Sequence, residues 1–351
     1  MDIAKIDRIL EELNAPKYRR KQILDAVCKQ FIGSWGEIST LPKPLAEALE
    51  KEIPFMSLSV VKEVESEKKD TVKVLFRTKT KVDEAVEAVL MKHDNDRRTV
   101  CISSQAGCGM NCTFCATGQN GFFRNLTVEE MLDQVLFFCR YAKARGERVT
   151  NIVFMGMGEP FTNYDRVIEV IKLFNGKDYL NIGMRHISVS TCGVVPGIER
   201  FAKEHIQANL AISLHAPDDE TRSKLMPINR AFPIERLLKS VDHYIAETRR
   251  KVMFEYLLID GVNDSEETAK KLAKLMNKKL YHVNLIKYHA TSGLSRQGEA
   301  KADPFRTSPK ERRDKFFDIL KKAGISCTFR ISFGEDIQAA CGQLAGAEKS
   351  R

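Results

Sequence analysis

The chain has 351 residues, 43% apolar and 29% charged. That composition excludes a largely disordered chain and leaves room for one large α/β domain with an appendage, or for two domains. Fifty-six basic residues against 47 acidic ones give a net charge of +9, compatible with a polyanionic partner without establishing one.

Residues 1–53 read as a small helical domain: Ile3, Ile6, Ile9, Leu10 and Leu13 recur at helical spacing, and Ile23, Leu24, Val27 and Phe31 form a second stripe. Leu45 and Leu49 begin a third after Pro42 and Pro44. Such a bundle is too short for a large core of its own and should dock on a larger body. It carries a basic cluster, Lys17, Arg19, Arg20 and Lys21, whose plain reading is a solvated helix face and whose functional reading is RNA contact. Two more clusters, Arg249–Lys251 and Lys310–Lys315, read the same way. The opening MDIAKIDRILEELN lacks the apolar core of a secretory leader, and no apolar run is long enough to cross a bilayer. A cytoplasmic location and no membrane partner are therefore expected.

Residues 54–94 change character. Val72, Val74 and Phe76 alternate with polar residues, and EAVEAVLM reads as another strand, so a short antiparallel β extension is expected. From residue 95 to 351, strand-like and helical runs alternate. The strands are expected at 100–104, 151–155, 186–190, 209–214, 252–258 and 281–286. A helix opening at Thr127 has Glu130 three residues on, a capping-box pattern. Others are expected near 165–174, 234–248, 265–276 and 309–323. Six β-then-α units argue for an α/β fold with a parallel sheet, either a partial (β/α)6 barrel or an open doubly wound sheet. In both, the site lies at the C-terminal ends of the strands.

Nine cysteines, an odd number, argue against a structural disulfide framework. Four of them, Cys101, Cys108, Cys112 and Cys115, crowd into fifteen residues. CGMNCTFC gives Cys108-x3-Cys112-x2-Cys115, with no second cysteine knuckle at zinc-ribbon spacing. Three thiolates so spaced can hold three irons of a [4Fe–4S] cluster and leave the fourth open to a substrate. The plain alternative is a degenerate zinc site.

Cys-x3-Cys-x2-Cys after the first strand resembles the radical S-adenosylmethionine superfamily, whose fold is a partial barrel of six βα units. CISSQAGCGMNCTFCATG, FMGMGEP, STCGVVPGI, AISLHAPDDETRSKLMPINR and AACGQLAG resemble, more narrowly, its RNA adenine methyltransferases. The resemblance implies a [4Fe–4S] cluster on Cys108, Cys112 and Cys115. It implies S-adenosylmethionine contacts from Gly158, Glu159, Ser190, Ser213, Leu214, His215 and Asn284. Cys341 matches a cysteine that carries the transferred methyl group, Cys101 the cysteine that resolves the RNA adduct through a disulfide, and Glu87 a proton acceptor. Implied partners are 23S rRNA, tRNA and a flavodoxin- or ferredoxin-like electron donor.

Two branches of this family are similar to the chain. One methylates C2 of an adenosine in 23S rRNA and of the adenosine beside the tRNA anticodon. The other methylates C8 of the same rRNA adenosine and confers antibiotic resistance. Pro160 and SLHAPDDE resemble the C2 branch, and ISFGEDI leans to the C8 branch. Without the resemblance, Glu159 reads as a helix-start residue, and Cys101 and Cys341 as inert core thiols. Cys28, Cys139, Cys192 and Cys327 match no catalytic position and read as core. A non-catalytic iron–sulfur RNA-binding protein and a radical enzyme acting on a peptide or small molecule are the competing classes.

Overall fold

The computed structural model describes residues 1–79, 84–291 and 303–346. Three helices open the chain: α1 (Ile3–Glu12), α2 (Tyr18–Cys28) and α3 (Lys43–Glu52). Ile6, Ile9, Leu24, Val27, Leu45 and Leu49 are buried, as the helical spacing predicts. Leu13 departs from that expectation: α1 ends at Glu12, and Leu13 is the exposed capping residue. The bundle docks on the rest of the chain, with Arg20 hydrogen-bonded to Tyr179 and Lys143 to the Gln30 carbonyl.

Strands β1 (Leu58–Glu65), β2 (Thr71–Thr78) and β3 (Ala85–Lys92) form an antiparallel meander, and β3 pairs antiparallel with β4 (Arg98–Cys101). The β extension is therefore continuous with the main sheet. The strand expected over 100–104 ends at Cys101: beyond it the Ser103 N–H donates to the Gln134 side chain, the Ser103 hydroxyl to the Glu87 carbonyl of β3, and the Ser104 N–H to the Met157 carbonyl.

A small hairpin, β5 (Gln105–Gly107) and β6 (Phe122–Asn125), encloses helix α4 (Ala116–Gln119). Then come α5 (Val128–Lys143), β7 (Asn151–Phe154), α6 (Tyr164–Asn175), β8 (Ile187–Thr191), α7 (Val195–Lys203), β9 (Asn209–Ser213), α8 (Asp219–Leu225), α9 (Ile234–Thr248), β10 (Val252–Leu258), α10 (Glu266–Leu275), β11 (Tyr281–Lys287), α11 (Lys310–Lys322) and β12 (Cys327–Phe329). The capping box at Thr127 is present: its hydroxyl accepts from the Glu130 N–H, and the Glu130 carboxylate accepts from the Thr127 N–H at 2.9 Å. Helices α7 and α8, the hairpin and β12 were not legible; α7 carries Pro196 and Gly197, which mask its period.

The main sheet has ten strands in the order β1-β2-β3-β4-β7-β8-β9-β10-β11-β12, parallel from β4 onward. All six expected core strands are there, in sequence order. Five strand spacings separate β7 from β12, about 24 Å in a flat sheet. Yet Arg330, just past β12, places Nη1 3.2 Å from the sulfur of Met155, just past β7. The sheet therefore curves into a partial barrel. Its ends do not pair with each other among the described residues. The segment after β12 bridges the opening instead: Asp336 accepts from the Glu67 N–H at 2.8 Å, and the Gln338 carbonyl accepts from Lys73 Nζ at 3.1 Å. No helix among the described residues is long and apolar enough to cross a membrane.

Candidate active site

A cavity lies within this curve, where the parallel strands end, and the cysteine loop forms one wall. Cys108 N–H donates to the Gly121 carbonyl at 2.7 Å, which ties the loop to the hairpin. Cys115 N–H donates to the Cys112 carbonyl at 3.2 Å, closing a turn, and Cys115 then caps α4. Thr113 N–H bonds the Leu225 carbonyl at the end of α8, and Ala116 N–H bonds the Gly342 carbonyl. The loop is thus held from both sides, by α8 and by the C-terminal segment.

Cys108, Cys112 and Cys115 all line the cavity. Burial pushes the Cys108 thiol up to about 12 and raises Cys112 and Cys115 as well. Thiolates in that setting need an adjacent cation, which iron supplies. Among the described residues no three His, Cys, Asp or Glu converge as they would around one ion. Ligands of a cubane cluster each hold a different iron, so convergence on one point is not expected of them. The donor set fits an iron–sulfur cluster.

The opposite wall is built from strand ends. Gly158 has φ +99, and a Cβ there would lie 2.5 Å from the Gln105 Cβ, so glycine is required for packing of the turn on β5. Glu159 follows, buried, its carboxylate accepting from Phe161 N–H at 2.9 Å and Cys192 N–H at 2.7 Å. It is a helix-start residue and a cavity wall at once; burial raises its pKa, and the two amides oppose that. Ser190 near the end of β8, Ser213 at the end of β9, and His215 face the same space. Burial lowers the His215 pKa to about 3, so its ring is neutral. Its Nδ1 accepts from Leu257 N–H at 3.0 Å, which leaves the proton on Nε2. Phe114 of the cysteine loop packs edge-on against that ring at 4.9 Å.

Cys101, ending β4, and Cys341, on the bridging segment, line the cavity too. Both are free thiols, Cys101 buried and Cys341 exposed. Burial pushes the Cys101 thiol up to about 12, a rise to which Cys341 adds. Arg330 lines the same cavity: burial alone would lower its pKa, and the charges that Cys341, Glu255 and Cys101 can carry reverse that.

Not every expected residue reaches the cavity. Asn284 instead donates to Glu255 Oε1 at 3.0 Å and accepts from Thr328, on β12, at 2.9 Å. The Leu214 side chain is in the core, and its carbonyl accepts from Arg222. The Glu87 carboxylate is also outside the lining, bonded to backbone amides of the C-terminal segment. Conversely Glu255, His289, Arg330 and Cys192 line it without having been singled out. Glu255 Oε2 has no hydrogen-bond partner among the described residues, with Arg330 Nη1 3.6 Å away. A buried carboxylate oxygen left open on a cavity wall suits a polar ligand. In sequence, Glu255 sits within VMFEYLL, and a charge inside an apolar strand was the available signal.

The profile of the radical SAM superfamily matches residues 102–273. A protein of Dictyoglomus thermophilum named "Probable dual-specificity RNA methyltransferase RlmN" is 43% identical over 98% of this chain and 94% of its own length. A "Ribosomal RNA large subunit methyltransferase N" of Nitrosopumilus maritimus is 40% identical over 97% of this chain and 95% of its own. The crystal structure of a radical SAM methyltransferase from Sphaerobacter thermophilus superposes with a TM-score of 0.92, at 43% identity, covering 99% of this chain and 98% of that one.

Proposed function

The chain belongs to the radical SAM superfamily, among its RNA methyltransferases, and on that premise we propose that it methylates C2 of an adenosine in 23S rRNA and of the adenosine beside the tRNA anticodon, using Cys341 as methyl carrier. One observation carries the reading: Cys341 and Cys101, distant in sequence, line one cavity together with the three loop cysteines.

Adenine C2 has no acidic proton and no nucleophilic lone pair, so simple displacement on S-adenosylmethionine does not serve there. Bound on Cys108, Cys112 and Cys115, a [4Fe–4S] cluster would supply the electron that turns S-adenosylmethionine into a source of a carbon radical. The protein's own residues do the rest. His215 offers its Nε2 proton as a donor, and Glu255 its open oxygen as an acceptor, to orient a polar ligand. The methyl group rides on the Cys341 sulfur and, after losing hydrogen, bonds to the adenine ring. The adduct's unpaired electron would go back to the cluster and its ring proton to solvent. Attack of the Cys101 sulfur on the Cys341 sulfur then breaks the carbon–sulfur bond, the freed carbon takes up a proton to complete the methyl group, and the methylated base is released as a disulfide forms. A flavodoxin- or ferredoxin-like donor would supply the cluster's electron, and an external thiol reductant, giving two electrons and two protons, resets the two thiols.

The test is mass spectrometry of 23S rRNA and tRNA from cells with and without this protein. C2-methyladenosine that depends on the protein supports the reading. C8-methyladenosine would assign the chain to the antibiotic-resistance branch, and neither product would overturn both.

A further inference from the structure

The Glu87 carboxylate does not face the cavity. It is 4% exposed, and its Oε2 accepts from the N–H of Ala345 at 2.7 Å and of Gly346 at 2.9 Å. Its Oε1 pairs with Lys73 Nζ on the adjacent strand at 3.0 Å. The same ammonium donates to the Gln338 carbonyl at 3.1 Å. The Lys73–Glu87 pair therefore grips the C-terminal segment on both sides of Cys341, at Gln338 and at Ala345–Gly346. Between those roots, Cys341 is exposed at the tip of a short loop.

A second feature points the same way and involves no carboxylate. Gly346 has φ +62, and a Cβ there would lie 2.5 Å from the Ala85 carbonyl oxygen and 2.9 Å from the Met157 methyl. Only glycine lets the tail lie this close to β3. The tail is also stitched to the cysteine loop: Thr117 Oγ1 donates to the Leu344 carbonyl at 2.5 Å, and Asn120 Nδ2 to the Ala345 carbonyl at 3.1 Å. Its amides go to Glu87 and its carbonyls to the wall that bears the cysteines.

We infer that Glu87, with Lys73, is a positioning residue that anchors the Cys341-bearing segment over the cavity, and is not the acceptor of the ring proton. A carboxylate serving as base must reach the substrate. This one is turned to the tail, and both its oxygens are engaged. Charge-assisted bonds to two consecutive amides are among the stronger ways to fix a backbone. They hold the loop's roots while leaving its tip exposed. The inference rests on the methyl-carrier role proposed above for Cys341.

Two measurements on the full chain test it separately. The first is hydrogen exchange of the peptide covering residues 342–346, which needs neither RNA nor cofactor. Glu87→Ala should speed exchange at the Ala345 and Gly346 amides roughly tenfold or more. Gly346→Ala, which leaves the Glu87 carboxylate in place, should do the same. The second is turnover of the reconstituted enzyme on substrate RNA. Glu87→Gln keeps a carbonyl oxygen for the tail amides but cannot take a proton at neutral pH, and it should recover most of the activity lost in Glu87→Ala. Unchanged exchange in Glu87→Ala overturns the anchor. Glu87→Gln as inactive as Glu87→Ala, or stalled as a covalent protein–RNA species, returns the residue to the role of base. If the wild-type chain methylates no RNA, the proposed function fails while the exchange result still decides the anchor.

Discussion

Arg330 lies against Met155, Nη1 to sulfur at 3.2 Å, although five strand spacings of the sheet separate the strands they follow. The guanidinium also sits 3.6 Å from the buried Glu255 carboxylate. It closes the curve of the sheet and offsets a charge that the cavity would otherwise hold alone. Arg330→Met should lower stability by about 1–3 kcal/mol, the range for losing one partner of a partly buried charged pair. Glu255→Gln in the same chain should recover part of that loss, read as coupling in a double-mutant cycle of urea midpoints. Simple additivity would show that the two groups do not sense each other.

The cysteine loop supplies three thiols and no reserve. Changing any one of Cys108, Cys112 or Cys115 to Ala should abolish the visible absorbance of the reconstituted cluster and all cleavage of S-adenosylmethionine to 5′-deoxyadenosine. Cys192 also lines the cavity, which makes Cys192→Ala the matched control with iron content retained. Full iron and activity in Cys112→Ala would remove the loop from the account.

Burial holds two imidazoles below their usual pKa, His215 at about 3 and His93 at about 4. At pH 7 these rings are neutral in the folded protein and largely so in the unfolded one. As pH falls through about 6.5, the unfolded chain takes up protons that the folded one refuses, so stability falls. Each such group steepens the loss by at most ~1.4 kcal/mol per pH unit, until its own folded pKa is reached. His215→Gln should flatten the stability profile between pH 6.5 and pH 3 in thermal melts. An unchanged slope would mean that the ring is solvated.

The basic clusters divide once their partners are known. Arg20 is paired with Asp7, Arg19 with Gln22 and the Thr40 carbonyl, Arg312 with Asp260 and Asp264, and Lys315 with Glu266. Lys17 and Lys21 are exposed and form no ion pair among the described residues. If those two touch phosphates, replacing both with Gln should reduce the slope of log affinity against log salt by about 0.7–0.9 per contact. The measurement is RNA binding across a salt series, and an unchanged slope would leave the cluster as a solvated helix face.

Much of this was legible in the sequence, for physical reasons that also mark where legibility stops. Strand runs such as NIVF and VMFEYLL are buried on both faces of a parallel sheet, so they stand out as continuous apolar stretches. The Cys108, Cys112 and Cys115 spacing is local and was readable at once. Arg330 and Glu255 were not, because each acquires its meaning from a neighbour far away in the chain. Asn284 was legible as a position on its strand, whereas its side-chain partners, Glu255 and Thr328, were not. Glu87 was found through resemblance alone, and nothing in its local sequence shows that it binds the chain's tail.

The central claim is the division of labour between Cys341 and Cys101. The most direct measurement is a denaturing gel of protein incubated with substrate RNA, cofactor and reductant under anaerobic conditions. Cys101→Ala keeps the carrier but lacks the thiol that breaks the carbon–sulfur bond, so it should accumulate a covalent protein–RNA species joined through Cys341. Cys341→Ala and the double variant should form none, and none of the three should turn over. Adducts in neither single variant, or equal adducts in both, would contradict the assignment of these two thiols.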